Sequence, residues 1–210
     1  MSPHADTLLA AGVVEWGVAS RPMPGELESG DLQVVAPFPG GVLVAAIDGL
    51  GHGAKAAFAA RRAGSVLAAE AGRPVRALME ICHAALRDTR GAVLTVASID
   101  TIQGQLTWIG IGNVDAVLWR ADRSGGDLRE AIVPRNGVVG YQLPPMREAT
   151  LPILRGDMLV FATDGVRHGF ASDPPLPATA QEHAEHILRE HGKTTDDALV
   201  LVVKYLGVRP

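Results

Sequence analysis

The stretch GVLVAAIDGLGHG, Gly41 to Gly53, decides how this chain reads. Its first seven residues, Gly41 to Ile47, form a continuous apolar run, the pattern of a strand buried on both faces. Asp48 ends the run, and glycines follow it at 49, 51 and 53. From Gly53 the composition changes to alanine, arginine and glutamate, which predicts a helix over Gly53–Ala71 stopping at Gly72. A buried strand thus delivers a carboxylate into a flexible turn at a helix N-terminus. Three glycines in a strand-to-helix turn suggest a phosphate-cradling loop. The Gly-Lys-Ser/Thr ending of a Walker loop is absent, since Lys55 stands between Ala54 and Ala56. The glycine spacing and the leading acid also exclude the dinucleotide-binding fingerprint.

Outward from this stretch, strands outnumber helices. Val13–Ala19 reads as a strand, Arg21–Gly30 as a loop, and Asp31–Val35 as the partner of Gly41–Ile47 in a hairpin around PFPGG. Pro74 suits the first residue of a second helix running to about Arg90. Ala92–Asp100, Gln105–Ile111, Val114–Arg120, Met158–Ala162 and Ala198–Tyr205 read as strands. Asp122–Asp127 reads as a turn and Ala178–Glu190 as a late helix. Two consecutive helices and one late helix do not make a βαβ alternation. The pattern predicts α+β, with antiparallel sheets covered by helices.

Bulk composition narrows the function. The 210 residues suit one domain, and 47% hydrophobic residues can build a sizeable core. A net charge of -4 provides no electrostatic footprint for nucleic acid or anionic lipid. The single cysteine, Cys82, excludes an internal disulfide and reads as a small buried residue of a helix. The N-terminus lacks a basic region before its apolar stretch, and no apolar run is long enough to span a membrane. A soluble, cytoplasmic protein is the expectation.

Four places set an aspartate at a strand boundary beside glycine or another aspartate: Gly30-Asp31, Asp48-Gly49, Asp164-Gly165 and Asp196-Asp197. Any one Asp-Gly is ordinarily a turn. Recurrence at the ends of the most hydrophobic strands is more specific. Carboxylate and carbonyl oxygens are hard ligands suited to Mg²⁺ or Mn²⁺, and a cation relieves the repulsion among gathered carboxylates. Trp108 and Trp119 lie in strands and read as packing residues. Glu182, His183, Glu185 and His186 read as a solvated helix face, because their spacing is not that of a zinc-binding HExxH helix.

Five pieces occur in order along nearly the whole chain: SGD (Ser29–Asp31), DGLGHG (Asp48–Gly53), GN (Gly112, Asn113), TDG (Thr163–Gly165) and DDAL (Asp196–Leu199). Together they resemble the PPM family, the protein phosphatase 2C-like metal-dependent phosphatases, in the SpoIIE/RsbU branch. Arg90-Gly91-Ala92 entering a strand, Gly112-Asn113-Val114, and the short stretch before SGD narrow the resemblance to the RsbX type of stressosome phosphatase. The resemblance implies a four-layer αββα sandwich, a single phosphatase domain over 1–210 without a regulatory domain, and a cleft holding two divalent cations, Mn²⁺ or Mg²⁺. Asp48 would bridge the metals and the Gly49 carbonyl would bind one. Asp164 and Asp196 would complete the second, Asp31 would act directly or through water, and Asp197 is a lower-ranked candidate. Water activated by the metals would attack phosphorus in line, with no phosphoenzyme. The implied substrates are phosphorylated STAS-domain proteins of a stressosome, RsbS-like and RsbR-like, which makes the chain a negative regulator of stress signalling. An RsbU- or RsbP-like phosphatase of an anti-anti-sigma factor, or a catalytically silent PPM-fold binding module, are the alternatives. The chain departs from eukaryotic relatives at Leu50, where they carry a histidine. His52 is the candidate catalytic acid, with a helix-capping or merely exposed role as the other readings. Arg21 is the one candidate for the phosphate-binding arginine of those relatives.

Overall fold

In the computed structural model, which describes residues 12–122, 129–172 and 174–208, the run Gly41–Ile47 is an interior strand. The elements in order are β1 (Val14–Arg21), β2 (Asp31–Phe38), β3 (Gly41–Gly49), α1 (Gly53–Ala69) and α2 (Val75–Ala85). Then come β4 (Ala92–Asp100), β5 (Gln105–Ile111), β6 (Asp115–Trp119), β7 (Arg129–Ala131), β8 (Ala149–Pro152) and β9 (Met158–Ala162). A short 3-10 turn (His168–Ser172), α3 (Ala180–His191) and β10 (Ala198–Tyr205) complete the chain.

The strands form two five-stranded antiparallel sheets, ordered β2-β3-β4-β5-β8 and β1-β10-β9-β6-β7. Successive side chains of a strand point to opposite faces, so each sheet can serve two cores. In β3, Leu43, Ala45 and Ile47 pack with Ala59, Ala63 and Leu67 of α1 and with Leu78 and Met79 of α2. Val42, Val44 and Ala46 face the other sheet and meet Leu159, Phe161, Leu199 and Leu201. On the far side of that second sheet, Val160, Ala162, Val200 and Val202 pack with Ala180, Ala184 and Ile187 of α3. Three cores between four layers give the αββα sandwich, and they explain why the strands lack polar alternation. Trp108 and Trp119 are buried in strands, and Cys82 is fully buried in α2. Burial pushes the Cys82 thiol up to about 12, which leaves it inert. Among the described residues no helix is long and apolar enough to cross a membrane.

Several boundaries differ from expectation. Pro74 is the N-cap of α2 rather than its first residue, and α2 ends at Ala85 rather than near Arg90, with Leu86 as its cap. The Thr89 amide and hydroxyl both donate to the Leu86 carbonyl and the Gly91 amide donates to the Thr89 hydroxyl, which turns the chain into β4 instead. The late helix starts at Ala180, where Thr179 and Glu182 form a reciprocal capping box. The spacing T-x-x-E is the signal for that start. Strands β7 and β8 are short, mostly exposed edge strands without a hydrophobic pattern to announce them. Of the expected turn Asp122–Asp127, only Asp122 lies within the described residues.

His183 overturns the solvated-face reading of α3. It is buried, and its Nδ1 has no hydrogen-bond partner among the described residues. Glu182, Glu185 and His186 do lie on the surface, engaged with Thr179, Gln181 and Arg189. The helix turns His183 onto the same face as Ala180, Ala184 and Ile187, one turn apart, against the sheet.

Candidate active site

The alternation that fills the layer between the sheets also places the acids. Val42, Val44 and Ala46 face the opposite sheet, so Asp48, two positions on, faces it too. Asp31 lies directly opposite Asp48 in the β2–β3 ladder, and directly opposed residues project from the same face. Thr163 follows β9, whose Leu159 and Phe161 face the same layer. Its hydroxyl donates to Asp31 Oδ2 at 2.7 Å and accepts from the Leu199 amide at 2.9 Å. One end of the inter-sheet layer therefore becomes polar and acidic.

Two glycines make the convergence sterically possible. A Cβ on Gly49 would lie 2.1 Å from the Ala56 carbonyl of α1, and one on Gly165 would lie 1.8 Å from the Asp197 carbonyl. The glycines beside the acids are thus close-packing positions, beyond the turn role read in the sequence. The Gly49 amide also donates to the Gly30 carbonyl at 3.0 Å, tying the two acidic strand ends together.

Each expected site residue can now be located. Asp48, Asp164 and Asp196 line a cleft of about 590 Å³ together with Leu50, His52, Asn113 and Asn136. Asp31 is buried behind them. Burial, opposed in part by the Thr163 hydrogen bond and reinforced by Asp197, Asp164 and Asp196, raises the Asp31 carboxyl to about 7. Burial, and then the negative charges of Asp31, Asp164, Asp196 and Asp197, raises Asp48 to about 8. Asp164 is shifted up by burial and by Asp196, against the pull of Lys193 and the Asn113 hydrogen bond. Asn113 Nδ2 donates to Asp164 Oδ2 at 2.7 Å, and the Lys193 ammonium donates to the Asp164 carbonyl. Asp196 Oδ1 accepts from the Asp197 amide at 2.9 Å.

Asp197 sits differently. Its two carboxylate oxygens accept from the Met23 amide at 2.7 Å and the Gly30 amide at 2.9 Å. Those bonds hold the loop between β1 and β2 against the site. His52 occupies the N-cap position of α1 without a side-chain capping bond. Its Nδ1 lies 2.6 Å from Glu26 Oε1, and a carboxylate acceptor requires Nδ1 to carry the proton. The free ring nitrogen is then Nε2. Arg21 does not line the cleft; its guanidinium donates to the Lys193 carbonyl.

Thr163, Asn113 and Lys193 hold the acids in place without having been assigned roles from sequence. The first two lie inside the TDG and GN motifs, which was their only signal. Lys193 carries no motif.

The donor set fits hard divalent cations. Buried carboxylates that repel one another, with one lysine nearby, lack neutralising charge from the chain itself. Among the described residues no three His, Cys, Asp or Glu side chains form a ready-made cage. Mg²⁺ is commonly held by one or two carboxylates with water filling the remaining positions, so an open arrangement suits it.

Comparison of the sequence with family models aligns residues 39–206 with stage II sporulation protein E, SpoIIE. The chain belongs to the SpoIIE family. Among solved structures, this SpoIIE-family chain is similar to one from work on the bacterial stressosome as a modular system adapted to control secondary messenger signaling. That match has 28% identity and a TM-score of 0.83, over 91% of this chain and 99% of the other. RsbX in complex with magnesium matches at 21% identity and a TM-score of 0.80, over 92% and 96% of the two chains. The catalytic domain of the serine/threonine phosphatase PstP, with two manganese ions, matches at 15% identity and a TM-score of 0.71, over 92% and 99%. A search of curated protein sequences finds no match. The family is SpoIIE, and the fold is that of the PPM serine/threonine phosphatases.

Proposed function

We propose that this SpoIIE-family protein is a metal-dependent phosphoserine/phosphothreonine phosphatase acting on STAS-domain stressosome proteins, RsbS-like and RsbR-like, in the cytoplasm. The observation that carries the phosphatase reading is the meeting of Asp31 and Asp48 with Asp164 and Asp196 at one open end of the inter-sheet layer. The likeness to a stressosome structure and to RsbX supports the choice of substrate. Removing phosphate from such partners would restrain stress signalling.

Asp48, the Gly49 carbonyl, Asp164 and Asp196 would hold two divalent cations, Mn²⁺ or Mg²⁺, with Asp31 engaged directly or through water. Bound there, such ions supply a nucleophilic water near neutral pH and neutralise charge on the phosphoryl oxygens. The chain supports this chemistry from behind. Thr163 orients Asp31, Asn113 orients Asp164, and Asp197 holds the loop between β1 and β2 through the Met23 and Gly30 amides. His52, whose Nδ1 is held by Glu26 at the cleft wall, would act through Nε2 as the acid for the departing alkoxide, a role that requires the ring to carry protons on both nitrogens.

The test is dephosphorylation of a phosphorylated STAS-domain protein with Mn²⁺, with EDTA, and with Asp48→Asn. Activity should require the metal and fall by about 100-fold or more on substitution. Activity that survives both treatments overturns the reading.

A further inference from the structure

Among the described residues no lysine or arginine lines the cleft, yet a basic groove adjoins it. The groove, about 440 Å³, is lined by Arg135, Asn136, Pro144, Pro145, Met146 and Arg147. Asn136 lines both cavities, so the two adjoin at that residue. The backbone around the groove is anchored at both ends. The Arg135 amide donates to the Gly110 carbonyl at 3.0 Å, and the Arg135 carbonyl accepts from the Gly112 amide at 2.9 Å. At the other end, Arg76 of α2 donates to the Met146 carbonyl at 3.1 Å and lies 3.8 Å from Glu148. Between them Val139 pairs with Ala92 and Gly140 donates to His83 Nδ1.

The groove is therefore preformed, and its charges are free. Neither the Arg135 nor the Arg147 side chain makes an ion pair or hydrogen bond with another described residue. Arg76 takes up Glu148, the acid adjacent to Arg147. Two unpaired guanidinium groups over a floor of Pro144, Pro145 and Met146 offer planar carboxylate recognition beside apolar contact.

On this basis, and resting on the phosphatase reading, we infer that the groove is a specificity subsite for an acidic side chain flanking the phosphorylated residue of the substrate protein. A phosphorylated residue in the cleft would place its neighbours past Asn136, between Arg135 and Arg147. The phosphoryl group would be held by the cations of the cleft, whereas the two unpaired guanidinium groups of the groove attract the neighbouring carboxylate.

The test compares a phosphoserine peptide carrying Asp/Glu flanks with the same peptide carrying Asn/Gln flanks, alongside p-nitrophenyl phosphate, all with Mn²⁺. Two partly exposed Arg–carboxylate contacts should give the wild type a KM about 5-fold lower for the acidic peptide, and added salt should erase the difference. Arg135→Ala/Arg147→Ala should equalise the two peptides while leaving kcat and p-nitrophenyl phosphate turnover unchanged. Arg147→Glu should reverse the preference toward Lys-flanked peptide. An acidic preference that persists in the double variant overturns the inference, as does an equal loss on p-nitrophenyl phosphate. If no substrate is turned over, the phosphatase reading has failed. The groove is then judged by fluorescence anisotropy, in which binding of the acidic peptide must be stronger than that of its neutral counterpart and must weaken in the double variant.

Discussion

Asp31 and Asp48 are directly opposed cross-strand partners in the β2–β3 ladder, two carboxylates projecting from the same face into the end of the inter-sheet layer. Like charges so placed are destabilising unless protonated or bridged by a cation. Burial first, and neighbouring carboxylates after it, raise both groups, Asp31 to about 7 and Asp48 to about 8, with Asp31 itself among the charges acting on Asp48. A carboxyl raised in the folded state stabilises the fold fully below its unfolded value. It loses that contribution as pH rises through its folded value. In EDTA, thermal stability should therefore fall as pH rises from about 4 to 8. Asp48→Asn should flatten that fall and raise the melting temperature at pH 8 by a few degrees. It should also lose the stabilisation that Mn²⁺ gives the wild type. Calorimetry of both proteins across pH, with and without metal, checks this. A wild-type protein that is equally stable at pH 5 and pH 8 in EDTA contradicts it.

Thr163 links the two sheets at the site by donating to Asp31 and accepting from Leu199. Thr163→Val keeps the shape and removes the hydroxyl. A buried amide then loses its partner, at a cost of about 1–3 kcal/mol. Activity should drop by about 10-fold or more because Asp31 is no longer oriented. Thr163→Ser should restore most of the activity. Urea unfolding and phosphatase assays on the three proteins provide the measurement.

Gly165 has no room for a side chain, since a Cβ would stand 1.8 Å from the Asp197 carbonyl. Gly165→Ala must push the Thr163–Gly165 turn away from the Asp196–Asp197 turn. We expect destabilisation of about 3 kcal/mol or more in chemical denaturation, together with weakened metal binding. Gly25→Ala makes a contrast, because nothing lies within 4 Å of its Cβ position, although its positive φ carries its own modest strain.

His183 is held below its ordinary value by burial and then by the charge of His186. A histidine depressed in the folded state contributes stability that is complete above its unfolded value, about 6.5, and is lost as pH falls toward the folded value. Wild-type stability should thus decline below about pH 6.5. His183→Leu should remove part of that decline. Melting temperatures at pH 7.5 and pH 5.5 compare the two proteins, and identical acid declines contradict the expectation.

Much of this fold was legible in the sequence because its signals are local. The run before Asp48 announced a strand buried on both faces, and the turn to α1 was marked by composition. The ends of α2 were less legible, since Leu86 and Thr89 reach local hydrogen-bond partners that hydrophobic pattern does not encode. His183 was misread because acids flanking it on α3 mimic a solvated face, whereas burial depended on which way the docked helix faced.

Asp31, Asp48, Asp164 and Asp196 could be chosen from sequence because strand-end acids in family order are a one-dimensional pattern. Their work on one another could not. Asp31 and Thr163 are 132 residues apart, and Asp197 reaches Gly30 across 167. Those distances close only when two sheets stack with a particular register. A shift of one residue would turn every side chain of a strand to the opposite face and carry Asp48 out of the site. Sequence alone thus determined the long strands, the helices apart from their ends, and the acids. Tertiary packing decided that Asp31 and Asp48 face one another, that Thr163 secures one of them, that Asp197 holds a loop, and that two free arginines border the cleft. The physical reason is that periodicity sets the face of each side chain locally, while the pairing of distant strands decides what that face meets.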